Sequence, residues 1–370
     1  MENTLNQNQR NYGIDLLRIL SMFLVVVLHT LGHGGVLQNC ISYSLNYYTA
    51  WFLETAAYCA VDVFAMITGY VMINTKFSSF KIIPLWLTVF FYSLIIPILF
   101  KIVPSLSLLH EVTFSELIKG IFFPVLSIQY WYFTSYFGMY FFIPFINKLL
   151  QSLGKKEHRN LCITIIVIFS ILPVVTLKRV DLFYTGFGFS TLWLICLYIF
   201  GAYFKMYPVQ ISKKKCFALY FGSIFFAWFA KLMSHVLLKI IFSKDAELDL
   251  FIDYTSIFII SSGVALLLLF SQIKIEIKFL QKIIITASSL SFSVYLIHEH
   301  PFIRSLVINN RFSLLANSSA YILPLQVLFY ALCIFLSCLL IDIVRYMVFK
   351  ILRINRIPKL LQNKINKAYK

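Results

Sequence analysis

The stretch IDLLRILSMFLVVVLHTLGHGG, residues 14–35, sets Asp15, Arg18 and His29 into an otherwise apolar run. On a helix turning about 100° per residue, the steps from Arg18 to His29 close within ~20° of three full turns, and Asp15 lies one turn from Arg18. The three groups therefore share one stripe. Along the axis Arg18 and His29 stand roughly 16 Å apart at ~1.5 Å per residue. A carboxylate orients a guanidinium, a guanidinium holds anions such as phosphate, and an imidazole removes a proton from a hydroxyl near neutral pH. Taken singly, Asp15 and Arg18 fit an ion pair at a membrane boundary, and His29 fits a hydrogen-bonded packing residue. Their alignment favours a cavity, because ionisable groups inside a membrane face a cavity or a partner.

Three further stretches add polar groups. In SSLSFSVYLIHEHP, Ser288, Ser291, Tyr295 and His298 recur at helical spacing, followed by Glu299, His300 and Pro301. In WFLETAAYCAVDVFAMITGYVM, Glu54 falls near the outer end of a span and Asp62 near its middle. QYWYFTSYFGMYFFIPF opens with Gln129, Trp131 and Tyr132 at an interface, where an aromatic belt is the plain alternative. His29 and His298 both belong at outer helix ends, where they can meet. No metal is expected: His298 and His300 splay on a helix, Gly32 interrupts His29 and His33, and neither HExxH nor CxxC is present. There is no GxSxG nucleophile turn. The seven cysteines are scattered and read as small packing hydrophobes.

The elements that position these groups must be membrane helices. The chain has 370 residues, 60% of them hydrophobic and 13% charged, more apolar surface than a water-soluble fold of that length can cover. Apolar runs of spanning length fall at 14–34, 50–73, 80–103, 129–150, 160–177, 188–204, 215–241, 251–271, 282–302 and 319–349. This predicts an all-α bundle of about ten transmembrane spans. Segment 110–126 is mixed in polarity and reads as interfacial or re-entrant. With the N-terminus inside, 21 of the 32 Lys and Arg fall on the inner side and eight on the outer, which places both termini in the cytoplasm. The net charge of +17 is thus read as inner-face charge, with no nucleic-acid partner, since no basic domain stands apart from the spans. The first span is too long and too charged for a cleaved signal peptide. Residues 1–350 read as one transmembrane domain, and 351–370 as a basic amphipathic tail on the inner leaflet of the bilayer. The acidic run 243–253 reads as a solvated loop.

YGIDLLRILSMFLVVVLHT, with ten residues between arginine and histidine, resembles the first helix of the integral-membrane acyltransferase-3 family. AVDVFAMITGYVM, YWYFTSYFGMYFFIPF and SFSVYLIHEHP resemble later stretches of that family in the same order, so the likeness runs over nearly the whole chain. Thr68-Gly69 departs from the usual serine-glycine, and Ala65 stands where an aromatic residue is common, which blurs the subgroup. The resemblance implies transfer of an acyl group, most often acetyl, from cytoplasmic acyl-CoA to a hydroxyl of a cell-envelope glycan or lipid-linked saccharide. It implies a multi-pass protein of a bacterial plasma membrane.

Carried over residue by residue, His29 matches the proposed catalytic histidine and Arg18 the arginine that engages CoA. Asp15 would orient Arg18, and His298 would be a second catalytic candidate. Trp131, Tyr132, Tyr295 and Glu54 would bind substrate, with Tyr295, Trp131 or His298 as donors to an oxyanion. No permanently bound cofactor is expected, acyl-CoA being the donor substrate. The competing reading is an exporter or flippase of a lipid-linked polysaccharide, and a third is a membrane sensor. The absence of visible inverted repeats counts against transport, and a sensor has no need of an aligned base and guanidinium.

Overall fold

The computed structural model describes residues 10–110, 112–116, 118, 125, 129–175, 180–242, 249–357 and 360–361. Its longer helices are α1 (Tyr12–Leu31), α2 (Leu45–Tyr58), α3 (Ala60–Met72), α4 (Ile83–Ile102), α5 (Trp131–Ser152) and α6 (Lys155–Ile166). They continue as α7 (Thr191–Met206), α8 (Lys213–Phe242), α9 (Ile257–Ser271), α10 (Lys278–His298) and α11 (Leu323–Ile351). The described residues contain no strand, as the all-α reading expects. Most of 110–126, residues 243–248 of the acidic run, and most of the 351–370 tail lie outside the described residues.

Seven segments are long and apolar enough to cross a membrane, among them Tyr12–Asn39, Leu45–Met72, Lys278–His298 and Leu323–Ile351. The remaining three of the ten expected runs correspond to α5, α7 and α9. Of these, α7 and α9 are shorter apolar helices. The exposed flanks of α8 and α11 carry Phe217, Phe221, Phe225, Phe329, Leu340 and Val344. Such surfaces are at ease only against lipid tails. The molecule is a multi-pass membrane protein.

Helix α1 sits in the middle, packed by α2, α3, α9, α10 and α11. Its polar stripe therefore faces protein rather than lipid. Asn11 caps it by accepting from the Ile14 amide at 3.2 Å. At Gly13 an added Cβ would fall 2.0 Å from the Phe270 carbonyl oxygen, so the start of α1 lies directly on the end of α9. At the other end the chain turns through Gly35, whose φ of +85° suits glycine. The amides of Asn310 and Phe312 donate to the carbonyls of His33 and Gly34, each at 2.9 Å. These two bonds hold the turn after α1 against the segment that follows α10.

Two boundaries differ from the sequence reading. The expected single span 50–73 is two helices, broken at Cys59, whose backbone relaxes to φ −66°, ψ −9°. The break strands the Ala56 carbonyl, and the Tyr220 hydroxyl of α8 donates to it at 2.9 Å. The expected span 282–302 ends at His298: Glu299 caps the helix and Pro301 opens a new turn. Beyond the break, α3 and α7 pack most closely. An added Cβ on Gly69 would lie 2.0 Å from the Tyr198 carbonyl oxygen, and one on Gly201 would lie 1.9 Å from that of Met66. Small residues allow such backbone approach, and this contact accounts for the glycine of the Thr68-Gly69 pair.

Candidate active site

A cavity of about 350 Å³ runs along the polar face of α1, with Arg18 and His29 both in its wall. The opposing walls come from α3, α5 and α10, including Trp131, Tyr132, Ser288 and Tyr295. The helical stripe read from sequence on α10 therefore faces the stripe on α1.

At the Arg18 end, Asp15 is 2% exposed and lies between two guanidinium groups. Arg18 Nη1 donates to its Oδ1 at 2.9 Å, and Arg10 Nε to its Oδ2 at 2.5 Å. Ser288 of α10 adds a hydroxyl donor to Oδ1 at 3.3 Å. Both carboxylate oxygens are engaged, whereas Arg18 spends one of its N–H groups on them and keeps the rest for the cavity.

At the other end His29 meets His298, Nδ1 to Nε2, at 2.8 Å. Proton positions follow from the backbone. His298 Nδ1 lies 2.5 Å from the Val294 carbonyl oxygen, which only accepts, so the proton sits on Nδ1 and Nε2 is left as an acceptor. His29 Nδ1 then donates to it, and His29 carries its lone pair on Nε2, which no described residue bonds. Glu299, 4% exposed, closes the cluster. Its Oε1 accepts from Arg304 Nη1 at 2.6 Å, and its Oε2 lies 3.1 Å from His29 Nδ1 and 3.6 Å from His33 Nε2. An imidazolium formed at His29 would find a carboxylate beside it.

His29, His298 and Glu299 offer ligand atoms within 4.8 Å of one another, a grouping able to hold a metal ion. No local motif announces it, because His29 lies on α1 while His298 and Glu299 lie at the end of α10. Two nitrogens on one tetrahedral zinc would stand about 3.4 Å apart. The 2.8 Å between the two facing ring nitrogens is a hydrogen-bond distance.

The structure thus brings together Asp15, Arg18, His29, His298, Trp131, Tyr132 and Tyr295. It does not bring Glu54 into the cavity wall: that residue is buried on α2, outside the lining. Sequence reasoning missed Glu299 and Arg304 as members of the cluster. The one available signal was the Glu-His-Pro that follows His298, since proline marks where a helix must stop and the chain can turn back. Asp62, fully buried on α3, accepts from Trp193 Nε1 at 3.4 Å, a role in packing α3 on α7.

A family model described as an acyltransferase domain matches residues 11–343. The chain belongs to the acyltransferase-3 family. The match spans every helix of the bundle from α1 to most of α11, and within it fall both stripes and the cavity they line. The acyltransferase-3 resemblance read from four short stretches therefore holds across the chain, and membrane acyl transfer is the general activity it carries. No curated protein and no solved structure matches the chain.

Proposed function

We propose that this acyltransferase-3 protein moves a short acyl group, most simply acetyl, from cytoplasmic acyl-CoA to a hydroxyl of a cell-envelope polysaccharide or lipid-linked saccharide. The observation that carries the reading is one cavity with a cation at one end and an unbonded imidazole nitrogen at the other. Arg18, placed near the inner surface by the positive-inside count, would hold the phosphates of CoA while the pantetheine arm extends toward His29. The axial separation of roughly 16 Å, at ~1.5 Å per residue, suits such an arm.

In this scheme His29 Nε2 takes the proton of the acceptor hydroxyl as its oxygen attacks the thioester carbonyl. The imidazolium keeps its Nδ1 proton toward His298 and is balanced by Glu299, 3.1 Å away. When the carbon–sulfur bond breaks, the proton on Nε2 passes to the departing thiolate. No net proton is gained or lost.

The test is His29→Gln, which keeps bulk and hydrogen bonding but has no titratable nitrogen. A general base contributes about 10²–10⁴-fold, so glycan acylation should fall by that factor while the protein remains folded in the membrane. The measurement is mass spectrometry of envelope glycans from cells carrying only the variant. Normal acylation by His29→Gln would remove the base from the scheme, and unacylated polymer trapped inside the cell would favour export instead.

A further inference from the structure

The cavity wall holds two polar atoms that the scheme above leaves idle. Among its lining residues, the hydroxyls of Tyr132 and Tyr295 are buried and donate to no described residue, while the Tyr132 amide faces the Tyr295 oxygen. Three other wall hydroxyls are spent on the protein: Ser288 on Asp15, Ser291 on the Ser288 carbonyl, and Thr68 on the Phe64 carbonyl. A buried hydroxyl whose proton finds no acceptor is a standing cost to the fold, so two of them on residues of one cavity wall point to a ligand atom that accepts from both.

Their placement identifies that atom. Tyr295 is 4% exposed and lies one turn before His298 on α10, with its ring centroid 6.4 Å from that imidazole. Tyr132 stands in the first turn of α5. The two helices are fastened beside these residues: the Tyr130 hydroxyl, fully buried, donates to the Leu296 carbonyl oxygen at 2.9 Å. That bond ties the residue two before Tyr132 to the residue one after Tyr295, so the relative placement of the phenols is fixed before any ligand arrives.

We propose that the hydroxyls of Tyr132 and Tyr295 form the oxyanion site of the acyl transfer, taking a thioester carbonyl as ligand. The assignment rests on the acyl-transfer reading and adds to it the groups that lower the barrier. As the acceptor oxygen bonds to the carbonyl carbon, the π pair moves onto the carbonyl oxygen, and both phenols donate O–H to the anion. When the pair returns, the C=O bond re-forms and the C–S bond breaks. The phenols keep their protons throughout, and His29 carries the transferred one. Donors fixed in advance and shielded from water are worth most where charge develops.

The experiment uses the full chain in permeabilised cells, with labelled acetyl-CoA as donor and the cells' own envelope glycan as acceptor. Tyr295→Phe and Tyr132→Phe should each lower kcat by about 10²–10³-fold, with KM for acetyl-CoA unchanged, because the contact forms only with the oxyanion. Phenylalanine keeps the ring and its packing, and an unchanged KM reports a folded donor site. Incorporating 3,5-difluorotyrosine at position 295 keeps a more acidic hydroxyl there and should restore kcat to the unsubstituted level or above. If both phenylalanine variants retain kcat, or if the loss appears in KM alone, the phenols are not oxyanion donors although acyl transfer stands. If the unsubstituted chain transfers no acetyl, the acyl-transfer reading falls and this assignment falls with it.

Discussion

Among the described residues, two aspartate–arginine pairs share the same spacing and differ in how much of the arginine they leave free. Asp15 and Arg18 stand three apart on α1, and Asp342 and Arg345 stand three apart on α11. In the second pair Arg345 reaches both carboxylate oxygens, at 2.6 and 2.7 Å, and the Tyr92 hydroxyl of α4 adds a third donor at 2.6 Å. The guanidinium also covers the Phe349 ring, 4.9 Å from its centroid. Asp342 is fully buried and Arg345 is 7% exposed. That pair is closed. Arg18 makes one 2.9 Å contact with its aspartate and turns the rest of a 31% exposed side chain to the cavity. The residue types and spacing are alike, and the number of donors left over decides which pair can take a ligand.

The contrast predicts three effects on stability, in falling order. Arg345→Ala leaves Asp342 buried with only a hydroxyl for company, and breaking a buried pair this way costs about 3–5 kcal/mol. The expected outcome is a large drop in unfolding temperature and in membrane yield. A variant as stable as the unsubstituted protein would mean that the α11 pair is not a lock.

Tyr92→Phe removes one hydrogen bond to a charged group but leaves the ion pair, so the loss should be about 1.5–3 kcal/mol. Unfolding in detergent should place it between Arg345→Ala and the parent.

Arg18→Ala should shift stability least, within ~1 kcal/mol, because a partly exposed pair contributes little and Asp15 keeps Arg10. Its effect should appear in acyl-CoA binding, measured by equilibrium binding to the purified protein. Arg18→Lys should retain part of that affinity, since a point charge serves a phosphate without the planar fork. Arg345→Lys should rescue poorly, because the bidentate geometry is lost. If the two lysine variants behaved alike, the distinction between open and closed pairs would fail.

What the sequence made legible follows from how each feature is encoded. The α1 stripe depends only on helical period, and Arg18 and His29 do face one cavity. The meeting of His29 with His298 was readable because both fall at the same depth of their spans. The place of Glu54 was less legible: it lies outside the cavity wall, and depth alone does not say which way a side chain faces around its helix. The break at Cys59 carried no glycine or proline to announce it, since its freed carbonyl is satisfied by Tyr220 from a helix far along the chain. Glu299 and Arg304 escaped because they act after α10 has ended, where periodicity no longer applies. The Asp342–Arg345 pair was invisible as a lock because its third member, Tyr92, is 250 residues away.

The close contact of α3 with α7 also has a consequence for how such a chain can vary. On each helix the glycine faces not a side chain but the other's carbonyl oxygen, so there is no rotamer to swing aside for a new methyl group. Gly69 cannot be replaced while Gly201 and its helix stay in place, and the reverse holds equally. A substitution at either one would first have to push two backbones apart, and no single change at the other could draw them together again. The route out of this pair is therefore not a sequence of small tolerated steps but a simultaneous redesign of the seam, and the wall that holds Val61, Phe64 and Thr68 against the cavity would move with it.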